Sequence, residues 1–259
     1  MSKAILYDAT LCIGCKLCEK ACAEHNGLPY DDAIAAEKQS EHKFTAVLAE
    51  NDHFMRRLCM HCEEPACASV CPVGAFHKTA LGPVVYDVWK CIGCRYCMVA
   101  CVFAQPKYEW GSLNPRVRKC IMCPDLIKRG QATACAQACP TGATKFGERG
   151  QLLLEAQDRI NANPSNYVNH IYGKGEVGGT SVLLLSAVPF EQFGYPSIAK
   201  IGDKALPEYT GVIMKKVPDF IPLWTLVLGG IYWLAHRKEE VAEAEAIEKQ
   251  GVRHENFEH

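Results

Sequence analysis

The stretch "CIGCRYCMVAC", Cys91 to Cys101, sets four cysteines in eleven residues, with two, two and three residues between them. "CIGCKLCEKAC", Cys12 to Cys22, repeats that spacing near the N-terminus, with Cys15 and Cys18 between. Two looser groups follow the same logic. Cys59, Cys62, Cys67 and Cys71 lie in "CMHCEEPACASVC", and Cys120, Cys123, Cys135 and Cys139 in "CIMCPDLIKRGQATACAQAC". With Cys94 and Cys97 of the opening stretch, these sixteen are all the cysteines of the chain. The flanks repeat too. "AILYD" before group one and "PVVYD" before group three predict short strands. "CPVGAFHK" closes group two and "CPTGATKF" group four, each with Pro and Gly ahead of another short strand. Groups one and three open a unit and groups two and four close one, which is an internal repeat of small modules.

The 259 residues are enough for one or two modest domains with real cores. Apolar content of 49% and charged content of 22% are globular values, and a net charge of −1 offers no basic field to nucleic acid. Sixteen cysteines admit three chemistries: disulfides, zinc and iron–sulfur clusters. Disulfide scaffolds are usually small and secreted, and "MSKAILYDAT" has neither an apolar signal region nor twin arginines. Zinc sites use paired C-x2-C units separated by longer stretches and have no need of a third and fourth cysteine in one run. The C-x2-C-x2-C-x3-C spacing is that of cubane iron–sulfur sites. Three close thiolates wrap one cluster on a tight loop, and Gly14 and Gly93 let the backbone turn and approach. The fourth cysteine, on the following helix, faces a second cluster. Spacing alone leaves open whether groups one and four, and two and three, exchange their last ligands, or whether one pairs with two and three with four.

Beyond the cysteines the chain simplifies. Residues 23–58 are polar and predict a surface insertion with some helix. "GQLLLEAQDRIN", 150–161, predicts a short amphipathic helix, 163–180 a loop, and "SVLLLSAVPF", 181–190, a buried strand. "GEVGGT" lacks the strand-before, helix-after context of a phosphate loop and reads as a turn. "FIPLWTLVLGGIYWLA", Phe220 to Ala235, carries no charge, and Lys215, Lys216, Arg237 and Lys238 flank it. As a helix it spans about 24 Å, short of the roughly 30 Å hydrocarbon core. Trp224, Tyr232 and Trp233 are placed as interfacial anchors. The competing reading is a buried or intersubunit helix. The charged tail that follows predicts a fraying solvated helix.

The chain resembles the four-cluster ferredoxin-like iron–sulfur (β) subunits of bacterial membrane oxidoreductases. It is most similar to the electron-transfer subunits of respiratory formate dehydrogenases and membrane-bound nickel–iron hydrogenases. "RLCMHCEEPACASVCPVGA", "CIGCRYCMVAC" and the Gly-Gly-Thr at 178–180 carry the match. The resemblance implies an α+β fold of two interleaved ferredoxin-like 4Fe-4S units with a C-terminal extension and a single transmembrane helix. The implied domains are 1–150 for the clusters, 151–216 for an extension packing on partner subunits, 217–237 for the anchor and 238–259 for the tail. It also implies a nested ligand scheme with iron bound through all sixteen cysteines. Cys12, Cys15 and Cys18 are completed by Cys139, and Cys120, Cys123 and Cys135 by Cys22. Cys59, Cys62 and Cys67 are completed by Cys101, and Cys91, Cys94 and Cys97 by Cys71. Some relatives replace one group-three cysteine and hold a three-iron cluster; here all are present, so four 4Fe-4S clusters are expected.

No triad, phosphate loop or paired-carboxylate site is evident, so the expectation is a non-catalytic conductor. It would relay electrons between a catalytic subunit of formate dehydrogenase or hydrogenase type and an integral membrane quinone-reactive subunit. The setting the resemblance implies is the bacterial inner membrane, single-pass, with the soluble part periplasmic by co-export with a partner; a cytoplasmic face is the alternative. The competing functions are the iron–sulfur subunit of a menaquinone or polysulfide reductase complex, an enzyme in its own right with a quinone site, and a zinc-binding assembly scaffold. His61, between Cys59 and Cys62, reads as packed beside a cluster with a hydrogen bond. His236 at the end of the anchor reads as interfacial. Arg116, Arg118, Lys119, Lys128 and Arg129 are read with equal weight as counter-charges to anionic clusters, a partner face, or a solvated surface.

Overall fold

In a computed structural model, which describes residues 2–255, the strands form where the repeat flanks predict them. β1 (Lys3–Asp8) leads into the first cysteine loop and α1 (Leu17–His25), followed by α2 (Asp32–Ala36). β2 (Ala46–Glu50) and β3 (His53–Arg57) form a hairpin, and α3 (Ala66–Ser69) carries Cys67. β4 (Phe76–Lys78), β5 (Val84–Tyr86) and α4 (Tyr96–Ala100) frame group three. A short pair, β6 (Lys107–Tyr108) and β7 (Val117–Arg118), precedes α5 (Pro124–Lys128) and α6 (Ala134–Gln137) of group four. β8 (Thr144–Glu148), α7 (Arg149–Ala162), β9 (Val182–Leu185), α8 (Ile198–Ile201) and α9 (Leu206–Glu255) complete the chain.

The largest sheet has the order β8-β1-β9. β1 runs antiparallel to β8, with Lys3 opposite Glu148 and Tyr7 opposite Thr144, and parallel to β9, with Ile5 opposite Val182. The strand before group one therefore pairs with the strand after group four. Likewise β4, after group two, pairs antiparallel with β5, before group three. The period of two along β1 and β9 divides the core. Ile5, Tyr7, Val182 and Leu184 face the cysteine side, packing with Met55, Leu58 and Tyr172. Ala4, Leu6, Leu183 and Leu185 face the other way, onto Leu152, Ala156 and Ile160 of α7. Those three recur every four residues, the apolar stripe that the sequence of α7 predicts. With both faces covered, β9 is buried at every position.

Two expectations change. Residues 23–58 are no surface insertion: Met55 and Leu58 are fully buried in the main core, and so is the charged Arg56. The polar look of the segment hides a hairpin whose inward residues include an arginine. Nor is there a domain break at 150. The chain divides into two units, Met1–Glu208 and Tyr209–His259. Tyr172, Val177, Phe190, Phe193 and Tyr195 of the extension join the core of β1.

In the second unit, the apolar run does not stand as a separate short helix. α9 continues through the charged stretch after Arg237, and residues 256–259 of the expected tail lie outside the described residues. Among the described residues this is the one helix long and apolar enough to cross a membrane, by length and composition. Pro218 and Pro222 interrupt its hydrogen bonding, and Thr225 Oγ1 donates to the Ile221 carbonyl at 2.8 Å.

Candidate metal centres

All four cysteine groups share one backbone device. The residue before the second cysteine is left-handed in each: Gly14 and Gly93 at φ 70°, His61 at 50° and Met122 at 61°. Glycine adopts this freely, whereas His61 and Met122 each carry about 1–2 kcal/mol of strain. Sequence reasoning named the glycines but missed that His61 and Met122 take the same left-handed turn; aligning the groups on their second cysteine would have found it. A Cβ at Gly14 would also run into the Phe54 ring, which would have to shift.

The turned loops bring the sixteen cysteines into four sets. One cavity is walled by Cys12, Cys15, Cys18 and Cys139, with Tyr7 and Thr144. A second is walled by Cys22, Cys120, Cys123 and Cys135, with Arg56 and Met122. A third, of ≈ 30 Å³, is walled by Cys59, Cys62, Cys67 and Cys101, with His61, Val84 and Lys119. In the fourth set, Cys71 and Cys91 pack with Cys97, and Cys97 feels the charges of Cys91, Cys94 and Cys71. Neighbouring sets also feel one another: Cys18 and Cys135, Cys120 and Cys59, Cys67 and Cys97. The sets therefore form a row in the order one, two, three, four.

Several of the bare thiols are poor thiolates. Burial, then mutual repulsion, pushes Cys120, Cys67 and Cys97 up to about 12. Burial pushes Cys18 to about 11, although the Arg56 charge opposes it. Cys139 moves the other way. Burial acts to raise it, but the Thr144 N–H at 3.4 Å and the Thr141 hydroxyl outweigh burial and lower it. A polycationic core would hold all these sulfurs as thiolates. Donors to sulfur are already in place: Ala75 N–H to Cys71 at 3.2 Å and Gly93 N–H to Cys91 at 3.4 Å.

The surroundings fit 4Fe-4S clusters. His61 is fully buried and kept neutral by burial, then by Lys119 and Lys78. Its Nδ1 accepts from Val84 N–H at 2.9 Å, so the proton sits on Nε2, which has no partner. The buried Tyr86 hydroxyl meets no oxygen or nitrogen partner and faces the Cys91 sulfur. Cluster sulfides would accept from such donors. Zinc fits less well. Four thiolates on one zinc lie within about 4 Å of each other, and among the described residues no three His, Cys, Asp or Glu converge on one ion.

The remaining candidates separate. Lys119 is buried, donating to the carbonyls of Val84 at 2.6 Å and Cys120 at 2.9 Å, and walls the third cavity. Arg118 pairs with Glu109, Arg129 with Asp125, Arg116 stacks over Trp89, and Lys128 is exposed. His236 is exposed on α9, with Glu239 3.9 Å away.

Strand pairs closing over cysteine loops define an iron–sulfur protein of ferredoxin type. A 4Fe-4S dicluster domain matches residues 11–75 and another matches residues 51–149. A protein of Nitratidesulfovibrio vulgaris strain Hildenborough is 40% identical over 269 aligned positions, covering 97% of this chain and 72% of its own. Hydrogenase-2 operon protein HybA of Escherichia coli O157:H7 is 33% identical over 251 positions, covering 80% of this chain and 76% of HybA. The nitrate-inducible formate dehydrogenase iron–sulfur subunit of Escherichia coli K12 is 35% identical over 197 positions, covering 70% and 66%. The chain belongs to this family of ferredoxin-like iron–sulfur subunits of oxidoreductases.

Proposed function

We propose that the chain is a non-catalytic electron-transfer subunit carrying four 4Fe-4S clusters between a catalytic subunit of formate dehydrogenase or hydrogenase type and a quinone-reactive membrane subunit. Cys12, Cys15, Cys18 and Cys139 hold one cluster, and Cys22, Cys120, Cys123 and Cys135 the next. Cys59, Cys62, Cys67 and Cys101 hold the third, and Cys71, Cys91, Cys94 and Cys97 the fourth. The two ferredoxin-like units are interleaved in the chain. The observation that carries this reading is that three cavities are each walled by three cysteines of one group and the last cysteine of another.

The clusters supply one-electron chemistry when bound. The chain's own residues enclose them, exclude water and aim N–H donors at their sulfur atoms. The row of sets supports a relay with its two ends at the surface, where Cys15 and Cys94 are exposed. α9 supports a single-pass anchor beside the membrane partner. Anaerobic iron and sulfide analysis tests the count: about sixteen irons per chain are expected. A reproducible value near eight in intact protein contradicts four clusters, and zinc without acid-labile sulfide contradicts the whole reading.

A further inference from the structure

Arg56, on β3, is 1% exposed, and its guanidinium stays charged at any pH the protein survives. Among the described residues the buried carboxylates have cationic partners: Glu19 has Lys43 at 2.8 Å, Asp8 has Arg159 at 2.6 Å, and Glu176 has His170. Arg56 has only neutral oxygens, with Nε donating to Thr45 Oγ1 at 2.8 Å and Nη1 to Thr144 Oγ1 at 3.3 Å. The other groups it faces are cysteine sulfurs: Cys135, within hydrogen-bond reach, Cys18 and Cys120. Leaving a buried guanidinium without an anion is strongly unfavourable. Cysteine sulfur, loaded as thiolate, is the negative charge in place to balance it.

Its position is a joint. Cys18 walls the first cavity, and Cys120 and Cys135 wall the second. Thr144, which holds Nη1, also donates its N–H to Cys139 of the first. We propose that Arg56 is the shared counter-charge of the iron–sulfur centres in these two cavities and raises both their reduction potentials together. A fixed positive charge at close range and low dielectric favours the state with one more electron, so it acts on every centre within reach. The cysteines that act most strongly on it belong to the first two sets. This inference rests on the cluster assignment proposed above.

The test is a potentiometric titration of the full-length chain in its complex, followed by electron paramagnetic resonance. Centres are assigned with Cys15→Ser and Cys123→Ser. Iron and sulfide are measured first. Absent sulfide in the wild type sinks the cluster reading itself, an outcome separate from any that follows. With four centres present, Arg56→Gln should lower the reduced-to-oxidised ratio of the first and second at fixed poise by about tenfold each, 59 mV for one electron. The third and fourth should not move, and Arg56→Lys should restore most of the loss. No shift, a shift of one centre, or an equal shift of all four overturns the proposal. If Arg56→Gln loses iron, Thr45→Val keeps the charge but frees Nε. It should move the same two centres and no others; any other pattern overturns the assignment.

Discussion

The halves of the iron–sulfur unit share a motif and differ in what covers it. Residue by residue, the loop from Tyr7 to Cys22 corresponds to that from Tyr86 to Cys101. Gly14 and Gly93 share φ 70°, and Lys16 and Arg95, at 57° and 64°, both start their helices left-handed. The surroundings diverge. β1 is the middle strand of three, while β5 is half of a three-residue hairpin. Tyr7 donates to the Phe54 carbonyl at 3.0 Å, whereas Tyr86 meets no oxygen or nitrogen partner. Around group three, Trp89 and Val99 are 88% exposed. The motif dictates a local path through its cysteines and left-handed turns. Enclosure comes from elsewhere in the chain: Val47 of β2 with Thr141 and Thr144 wall group one's cavity, α7 and β9 cover its strand, and group three's rim is left open.

The sharpest challenge to this division is loss of a ligand. Cys22→Ser should remove or convert the same centre as Cys120→Ser, and Cys101→Ser the same as Cys59→Ser. Spectra of the four variants decide it. A match between Cys22→Ser and Cys59→Ser would mean that groups one and two pair directly, and the halves would have to be redrawn.

Next in size is a matched pair of acids. Asp8 is fully buried; it accepts from Thr10 N–H at 3.1 Å, Arg159 at 2.6 Å and Tyr167 at 2.9 Å. Asp87, its counterpart, caps Trp89 N–H at 3.2 Å and pairs with the exposed Lys90. Asp8→Ala should cost about 3 kcal/mol, because a buried partner is lost. Asp87→Ala should cost about 1 kcal/mol, the loss of a cap. Calorimetry on the cluster-loaded protein should show the first melting about 5–10 °C lower and the second by only a few degrees. Equal shifts would mean that the enclosure of group one adds nothing to its stability.

What the sequence disclosed follows the same line. The cysteine spacing, the flanking strands and the stripe of α7 are local patterns, and local physics is enough to read them. Arg56 was invisible because an arginine in a polar stretch reads as surface, and only the sheet register and the distant Thr144 turn it inward. His61 was read as a packed histidine with a hydrogen bond, which it is at Nδ1. Which of its ring nitrogens is left free depends on Val84, more than twenty residues away. The extension looked separable because its apolar residues are scattered among Gly, Asn and Pro; only folded do Tyr172, Phe190 and Tyr195 meet the core of β1.

The smallest expected effect concerns how the extension covers group two. Between Gly173 and Ser181 the loop bonds to the cysteine run: Glu63 N–H donates to the Gly179 carbonyl at 2.9 Å and Ser181 N–H to that of His61 at 3.0 Å. Glu176 holds the loop, accepting from Gly173 N–H at 2.7 Å and from His170. The hydrogen bond with Glu176 raises His170 above its ordinary value. Burial acts to raise Glu176, but the His170 bond and backbone N–H groups outweigh it and lower it. A raised histidine stabilises the fold fully below its unfolded value, near 6.5, and loses that contribution as pH rises through its folded value. A lowered carboxylate stabilises above its unfolded value, near 4.3, and loses the contribution as pH falls. The pair therefore helps most between about pH 4.5 and 6.5. The His170 side chain is 38% exposed, so solvent screens the interaction and the effect is modest. Hydrogen exchange, corrected for intrinsic rates, should show protection of residues 173–181 falling a few-fold from pH 6 to 8.5 while β1 stays flat. His170→Gln should abolish the slope. If the loop in that variant keeps the wild-type pH dependence, the His170–Glu176 pair is not what holds the extension over group two.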